Sequence, residues 1–305
     1  MSTDLHRRAA AAESAPPRPA GTARRPGPGR RRRPNVLGTA VLFVLSAYFL
    51  LPAWWLLVAS TKNSSDLFGS DGFWFSAFHL DDNLHELATA NGGLYFRWLL
   101  NTVLYAGVGA AVATLLAAMA GYALTKYRFR GREAVFNTIL AAVLVPAPLL
   151  ALPVYLLLSK AHLVNTVWAV LLPSMISPFG VYLSRIYADA SVPDEILEAA
   201  RMDGAGEFRI FFTVVLRIFS PALVTVFLFQ FTTIWNNFFL PLVTLSDQQL
   251  WPVNLGLYYW NGLRDQTPYN LVVTGSLVSV VPLVVAFVLL QRFWRTDLTA
   301  GGVKA

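Results

Sequence analysis

The sequence predicts an all-α integral membrane protein with six transmembrane helices and both termini in the cytoplasm. This fold class follows from the composition, the length of the apolar runs and the placement of the basic residues. Hydrophobic residues make up 55% of the 305 residues and charged residues only 13%, whereas soluble domains carry about 25% charged residues. The mean hydropathy is +0.51. A water-soluble protein of this composition would expose too much apolar surface, so an ordinary soluble enzyme is disfavoured.

A basic tail, residues 1–34, precedes the first apolar run. It is rich in Ala, Arg and Pro, and it holds nine of the 24 basic residues, including Arg30 to Arg33. Such a segment cannot bury a core, so we expect a disordered cytoplasmic tail. The apolar run that follows is longer than the hydrophobic region of a signal peptide, which disfavours a cleaved leader.

Six apolar runs follow the tail, and each is long enough to cross a hydrocarbon core of about 30 Å as a helix. They cover residues 36–59, 99–125, 134–158, 164–187, 218–245 and 271–291. Helices are the expected form because backbone polar groups must be paired within lipid. The sequence therefore predicts a six-helix transmembrane domain at 35–297, with a cytoplasmic loop at 188–217 and a short cytoplasmic tail at 298–305.

The basic residues give the orientation. With six spans, 20 Lys and Arg residues fall on the side of the two termini and four on the other side. The side richer in Lys and Arg is cytoplasmic by the positive-inside rule. Outside the tail, 15 basic residues balance 15 acidic residues, so the net charge of +7 does not indicate nucleic acid as a partner.

Two long loops on the opposite side, residues 60–98 and 246–270, carry many aromatic residues. These residues are Trp74, Phe75, Phe78, Trp251, Tyr258, Tyr259 and Trp260. A short helix is expected to open near Asp81. The aromatic residues fit either an interfacial belt at the membrane surface or a docking surface for an extracytoplasmic partner.

The middle of every span lacks Asp, Glu, Lys and Arg. Ionisable residues retained inside a membrane usually serve ion or proton transport, so their absence disfavours an ion-coupled carrier and, more weakly, an ionic substrate. Cysteine is absent and the four histidines have no metal-ligand spacing, so we expect no metal site.

Polar residues are concentrated in the fifth run. Gln230, Trp235, Asn236 and Asn237 combine amides with an aromatic face, which suits a hydroxyl-rich neutral solute. We expect these four residues to line a substrate pathway. The alternative is that they only hold helices together within lipid.

The loop between spans 4 and 5 contains the most informative segment, residues 191–205. Ser191 and Asp194 have the spacing of a capping box, and Pro193 falls in the first turn of a helix. Gly204 provides a C-terminal stop. The pattern predicts a short helix of about three turns.

A second amphipathic run follows this helix, with apolar residues at the spacing of one helix face. They are Phe208, Phe211, Phe212 and Val215. In the first helix, Ala199 and Ala200 form a flank small enough for another protein to approach closely. The alternative is a solvated charged loop without a partner.

The segment Glu198-Ala199-Ala200, followed by Asp203-Gly204-Ala205, resembles the E-A-A-x-x-D-G-A signature of ABC-importer permease subunits. The family pattern continues to I-x-L-P about ten residues after the Gly. This chain has Arg217 at the position of the final Pro, and Pro221 follows four residues later.

A second set of residues resembles the carbohydrate branch of that family, including the smaller membrane subunit of maltose transporters. Trp235 to Pro241 is similar to its W-N-x-[FY]-x-x-P stretch. Leu163 to Thr166, Leu171 to Pro173 and Pro178 to Gly180 are also similar to that branch. The resemblance covers about residues 36–297.

The resemblance implies a type I ABC importer permease bundle that moves a sugar and performs no bond chemistry. Its partners would be a second, homologous permease, two copies of a cytoplasmic ATPase and an extracytoplasmic sugar-binding protein, with lipid around the spans. The helix of Glu198 would fit a cleft of the ATPase, and Glu198 would pair with a basic residue there. ATP and Mg²⁺ would be used by the ATPase, with no cofactor on this chain. The sequence itself has no G-x-x-x-x-G-K-[ST] motif, in agreement with that division.

Three other functions compete with a sugar permease. An ABC permease for an amino acid or a polyamine shares the loop signature but is disfavoured by the neutral spans. An ion-coupled secondary transporter is opposed by both features. An intramembrane enzyme is the weakest alternative, because the spans contain no His, Asp and Glu constellation.

Overall fold

The computed structural model describes residues 36–263, 267–291 and 293; the tail at 1–34 and the tail at 298–305 lie outside the described residues. The described residues form helices and no strand. Fourteen helices are numbered in chain order: α1 Val36–Ser60, α2 Ser64–Gly69, α3 Leu80–Thr89, α4 Leu94–Lys126, α5 Arg132–Val143, α6 Ala147–Lys160, α7 Trp168–Ser174, α8 Pro178–Ser191, α9 Asp194–Met202, α10 Glu207–Ile218, α11 Ser220–Trp235, α12 Phe239–Thr244, α13 Val253–Asn261 and α14 Tyr269–Leu290. Short 3₁₀ turns occur at Ala90–Gly92 and Gln248–Leu250. The chain divides into two compact units, Met1–Leu50 and Leu51–Ala305.

Four segments of the described chain are long and apolar enough to cross a membrane. They are α1, α4, α14 and the pair α7 and α8, which together run over Trp168–Ser191. Two bent helix pairs raise the number of candidate spans to six if each pair is counted as one span. The prediction of an all-helical membrane fold is thus confirmed, with four to six candidate spans.

The expectation that each apolar run forms one helix fails for the third, fourth and fifth runs, because each of them is divided between two helices. The third run bends by 111° between α5 and Pro148–Lys160. The fifth run begins at the 82° bend between α10 and α11, and α11 then stops at Trp235, well before the run ends at residue 245. Proline removes a backbone donor and clashes with the preceding turn, and Pro146, Pro148 and Pro221 lie at these breaks.

Helix α4 is the most extensively packed element, and its main neighbours are α8 and α11. Its buried face is built from small residues, which let helix backbones approach closely in a membrane. These residues are Ala106, Gly109, Ala110, Ala113, Ala117, Ala118 and Gly121. A Cβ atom on Gly121 would lie 2.6 Å from the backbone nitrogen of Arg185 in α8, so this contact requires glycine.

A cluster of three tryptophans, Trp98, Trp251 and Trp260, packs around the Leu94 end of α4. The ring centroids of Trp98 and Trp260 are 4.8 Å apart, and Trp98 Nε1 donates to the carbonyl of Gln248 at 2.8 Å. Trp251 and Trp260 are buried. The prediction that these two residues form a belt or a docking surface is therefore wrong, because they fill the protein core instead. Tyr258 and Tyr259 remain exposed.

The contact at Gly121 predicts the effect of one added methyl group. We expect Gly121→Ala to lower the apparent melting temperature of the detergent-purified protein, because overpacking against a backbone atom costs about 1–3 kcal/mol. Gly107→Ala is the matched control in the same helix, since a Cβ there meets nothing within 4 Å. Equal melting temperatures for the two variants would contradict the close contact of α4 and α8.

Candidate coupling site and substrate pathway

The predicted short helix is present as α9, Asp194–Met202. Asp194 and Glu195 lie in its first turn and Arg201 in its last turn, which places each charge favourably relative to the helix dipole. The predicted capping box is wrong. Pro193 is the N-cap residue and no side chain caps the helix, because Ser191 still belongs to α8.

The predicted stop at Gly204 is confirmed. Gly204 has φ +78°, the left-handed conformation in which glycine carries no Cβ penalty. Its N–H donates to the carbonyl of Arg201 at 2.9 Å, and the N–H of Ala205 donates to the carbonyl of Ala200 at 3.0 Å. These two bonds form a Schellman motif, which satisfies the last carbonyls of the helix.

One side of α9 is anchored in the protein and the other is free. Leu197 is 2% exposed and belongs to a buried cluster with Tyr122, Phe211 and Val215. Glu198 and Ala199 are exposed, and so is Met202, at 88%. Glu198 forms no hydrogen bond or ion pair with any residue that the structure describes. The helix therefore presents an unpaired carboxylate beside small and apolar side chains.

A polar network connects α9 to the end of α4; it consists of Lys126, Tyr127, Asp194, Arg201 and Glu207 and is called here the boundary network. Lys126 Nζ lies 2.7 Å from Asp194 Oδ1. Tyr127 Oη donates to Glu207 Oε2 at 2.5 Å, and Arg201 Nε donates to Glu207 Oε1 at 2.7 Å. Both ends of α9 are thereby attached to the last residues of α4.

The ionisation states within the boundary network follow from these contacts. The hydrogen bond from Lys126 lowers the pKa of Asp194, so this carboxylate stays charged at neutral pH. Burial raises the pKa of Tyr127, and the hydrogen bond to Glu207 raises it further. Tyr127 therefore remains a phenol and acts as the donor toward Glu207.

The predicted apolar face of the second loop helix is only half correct. Phe211 and Val215 are buried, whereas Phe208 and Phe212 are 75% and 48% exposed. Phe211–Val215 forms a π-helical turn. Such a turn contains more residues than an α-helical turn, so different side chains come to lie on the same face of the helix. Ile210 takes the buried position beside Phe211.

The four predicted pathway residues lie around the end of α11, in different environments. Trp235 is 3% exposed and stacks on Phe231 with ring centroids 5.4 Å apart. Gln230 is half-buried, and its Nε2 donates to the carbonyl of Ser174 at 3.0 Å. Asn236 is exposed and Asn237 is half-buried. The structure thus brings the four together in one segment, with Trp235 facing the core.

Asn165, within the segment that resembles the carbohydrate branch, has a structural role. Its backbone is left-handed, at φ +59°. Its Oδ1 accepts hydrogen bonds from the N–H groups of Ser246 and Asp247 at 3.0 and 2.8 Å. Asn165 therefore connects the start of the fourth run to the end of the fifth.

The boundary network is the part of the site that the sequence did not reveal. Lys126 and Asp194 are 68 positions apart, and neither position belongs to a motif. The only sequence signal was the cluster of basic residues that follows the second run, and this cluster does not indicate the partners.

The described residues thus combine apolar helices long enough to cross a membrane with an exposed loop helix that ends at Gly204. The family described as "Binding-protein-dependent transport system inner membrane component" matches residues 110–296. The chain belongs to this family. It is a multi-pass transport subunit of the plasma membrane, and ATP is hydrolysed by a separate subunit.

Relatives match nearly the whole chain. The arabinooligosaccharides transport system permease protein AraQ of Halalkalibacterium halodurans is 34% identical, over 88% of this chain and 95% of the relative. The diacetylchitobiose uptake system permease protein NgcG of Streptomyces coelicolor is 28% identical, over 86% of each chain.

The fold is also found in a solved structure. A chain from the crystal structure of a bacterial ABC transporter involved in the import of the acidic polysaccharide alginate superimposes with a TM-score of 0.73. The match covers 84% of this chain and 95% of that chain at 21% identity, so the likeness concerns the fold alone.

The left-handed conformation of Gly204 predicts the effect of alanine at this position. We expect Gly204→Ala to destabilise the end of α9 by about 1–2 kcal/mol, and thus to speed hydrogen exchange of the Asp203 to Ala205 amides by about tenfold. The control is Gly206→Ala, because Gly206 has φ −71° and a Cβ at either glycine meets nothing within 4 Å. Unchanged exchange in Gly204→Ala would show that the turn does not need glycine.

Proposed function

We propose that this chain is one of two membrane subunits of an ATP-driven importer that moves a sugar into the cytoplasm by alternating access. Coupling to the ATPase is supported above all by the arrangement of α9. Its exposed side holds the unpaired Glu198, while its other side is anchored through Leu197. The relatives named for arabinooligosaccharides and diacetylchitobiose support a sugar, mono-, di- or oligosaccharide, as the substrate.

The proposed partners are those of a binding-protein-dependent system. They are a second homologous permease, two copies of a cytoplasmic ABC ATPase that uses ATP and Mg²⁺, and an extracytoplasmic sugar-binding protein. Support for the ATPase contact comes from the exposed set Ala199, Met202 and Phe208, which lies beside Glu198 on the same loop. Apolar side chains beside the Glu198 carboxylate suit a partly desolvated contact with a basic group.

We also propose six membrane crossings with both termini in the cytoplasm. Supporting contacts connect loops that six crossings would place on one side. Lys126, after the second run, contacts Asp194, after the fourth. At the other end, Asn165, at the start of the fourth run, contacts Ser246, after the fifth. An even number of crossings between the loop after the second run and the loop after the fourth run would place both at the same membrane boundary, as the contact of Lys126 with Asp194 requires.

The coupling role proposed for residues 191–205 is mechanical. A force applied at Glu198 reaches α4 through two routes, the buried Leu197 and the ion pair of Asp194 with Lys126. Helix α4 then contacts α8 and α11 along its small-residue face. Movement of the ATPase would thus be passed to three helices together.

For the substrate pathway we propose Gln230, Trp235, Asn236 and Asn237, with different roles. Asn236 and Asn237 follow the last residue of α11, where the helix is interrupted. Their amides offer both donors and acceptors to hydroxyl groups. Trp235 is buried against Phe231, so it holds the end of α11 in place from the side of the protein core.

A permease for an amino acid or a polyamine is the second candidate, and uptake with the co-purifying subunits separates the two. We expect import of labelled neutral sugars, tested with arabinose oligosaccharides, diacetylchitobiose and lactose, and no import of amino acids or polyamines. An ion-coupled carrier is disfavoured by membership of a binding-protein-dependent family.

Glu198 provides the test of the coupling site. We expect Glu198→Ala to leave the protein inserted and paired with the other permease, because Glu198 forms no hydrogen bond or ion pair with a described residue of its own chain. Uptake and sugar-stimulated ATP hydrolysis should fall at least about tenfold, since loss of one partner of a desolvated charge pair costs about 2–5 kcal/mol.

The matched control for that variant is Asp189→Ala, which removes an exposed carboxylate outside α9 and should leave uptake unchanged. Uptake and ATPase retention are measured on the same purified preparations. Normal transport by Glu198→Ala with the ATPase still bound would identify the loop as a solvated connector.

The orientation is tested separately with a reporter that fluoresces only in the cytoplasm. Fused after Ala305, it should fluoresce; fused to a chain truncated after Gly92, in the first long loop, it should not. Both results follow from the excess of Lys and Arg on the side of the termini. Absence of fluorescence from the reporter fused after Ala305 would overturn the arrangement of six crossings.

A further inference from the structure

The loop between α1 and α3 carries a cluster of exposed aromatic side chains; residues 68–78 are called here the aromatic loop. Phe68 is 73% exposed, Trp74 67% and Phe78 65%, with Phe73 and Phe75 also exposed. Several large exposed apolar side chains within one short segment are typical of a binding surface for protein or for membrane. The sequence left both possibilities open.

The aromatic loop has a fixed shape because a buried lysine organises its backbone. Lys62 is 1% exposed. Its Nζ donates to Ser70 Oγ at 2.9 Å and to the carbonyl of Asp71. Asp71 Oδ1 in turn accepts from the N–H of Phe73 at 2.9 Å. The aromatic side chains are therefore held in place rather than presented by a loose segment.

Contacts with α1 give the depth of the aromatic loop. Trp54 Nε1 donates to the carbonyl of Phe73 at 3.1 Å, and the rings of Trp54 and Phe75 are 5.7 Å apart. A helix needs about 20 residues to cross the hydrocarbon core, and 20 residues counted from Val36 end at Trp55. Phe73 and Phe75 thus lie level with the membrane boundary opposite the N-terminal tail.

Contacts with α14 give the same depth independently. Phe68 packs edge-on against Tyr269, with ring centroids 5.0 Å apart. Tyr269 is the first residue of α14, and about 20 residues counted back from Leu290 end at Leu271. Tyr269 therefore lies just beyond the hydrocarbon core. Two separate spans place the aromatic loop at the same boundary.

We infer that the aromatic loop is an interfacial lipid anchor whose side chains enter the headgroup region of the outer leaflet. A water-soluble partner would have to penetrate the headgroups to reach side chains at the level of Trp54. Aromatic rings are favoured at this depth. The nearby carboxylates are hydrogen-bonded within the loop, Asp71 to the backbone N–H of Phe73 and Asp66 to Ser76, which offsets part of the cost of holding them at the headgroups.

This inference depends on α1 and α14 crossing the membrane and on no other part of the proposed function. A wrong sugar or a wrong coupling site would leave it intact. The outer side is named from the proposed orientation, but the depth of the loop does not depend on which side is outer.

The chain contains no cysteine, so single cysteines can be spin-labelled without background. The test uses the full chain with its co-purifying subunits, in liposomes of phosphatidylethanolamine and phosphatidylglycerol. Trp74→Cys and Phe68→Cys are labelled separately, so that failure of one variant to fold leaves the other. Collision with oxygen, which concentrates in lipid, and with a water-soluble nickel chelate is measured by electron paramagnetic resonance.

Two further variants provide reference values. Leu51→Cys, 46% exposed on α1, reports the hydrocarbon, and Asp81→Cys, exposed on α3, reports water. We expect both aromatic-loop labels to show high accessibility to oxygen and low accessibility to the nickel chelate, as at a lipid site. The measured effect is the loss of nickel accessibility relative to the label at Asp81→Cys. High nickel accessibility at both labels would overturn the anchor in favour of a solvent-facing docking surface. Low accessibility to both reagents would overturn it in favour of burial against another protein subunit.

Discussion

The close contact of α4 with α8 and α11 is the constraint on which the rest of the structure depends. Lipid provides no hydrophobic driving force between helices, so their association relies on packing that small residues permit. Gly121 meets the backbone of α8, and Gly109 lies against Ser174 and Ile234. Because α4 spans 33 residues, or about 50 Å, one helix carries both the tryptophan cluster at one end and the boundary network at the other.

Helix α9, for which the coupling role is proposed, combines a free side with an anchored side, and the magnitudes of the interactions identify the anchor. Exposed ion pairs contribute little stability, and Asp194 is largely exposed. Full burial of a leucine contributes about 1.5–3 kcal/mol, and Leu197 is 2% exposed. Leu197 therefore holds α9 against α4, while the boundary network sets its direction. Neither Leu197 nor the boundary network uses Glu198, so this carboxylate is left free for the proposed contact with another subunit.

The sequence predicted the features that depend on composition and local chemistry. The apolar runs predicted a helical membrane fold, the glycine at 204 predicted the end of α9, and the acidic residues near Asp81 predicted α3. It could not predict features that depend on distant partners. Trp251 and Trp260 are of a residue type that is typical of an aromatic belt at the membrane surface, yet they are buried because Trp98 packs against both of them.

Helix register was the second limit of prediction from sequence. The spacing of Phe208 and Phe212 fits an α-helical face, but the π-helical turn at Phe211–Val215 changes that face. The bends of 111° and 82° also depend on how the freed backbone groups are satisfied. The pairing of Lys126 with Asp194 required the fold itself, since charges at a membrane boundary have many possible partners in the sequence.

The interruption after Trp235 connects the requirements of the fold with the proposed transport. A helix can stop at membrane depth only where the freed backbone groups find partners or face a cavity. Asn254 Nδ2 donates to the carbonyl of Trp235 at 2.9 Å, and Asn236 Nδ2 donates to the carbonyl of Thr232 at 2.9 Å. Amide side chains thus stabilise the break, as the structural interpretation of polar residues in this segment expects. An amide that donates one hydrogen bond still has a second donor and an acceptor, and Asn236 is exposed. The same residue can therefore stabilise the break and bind a hydroxyl group, so the structural and the transport interpretations do not exclude each other.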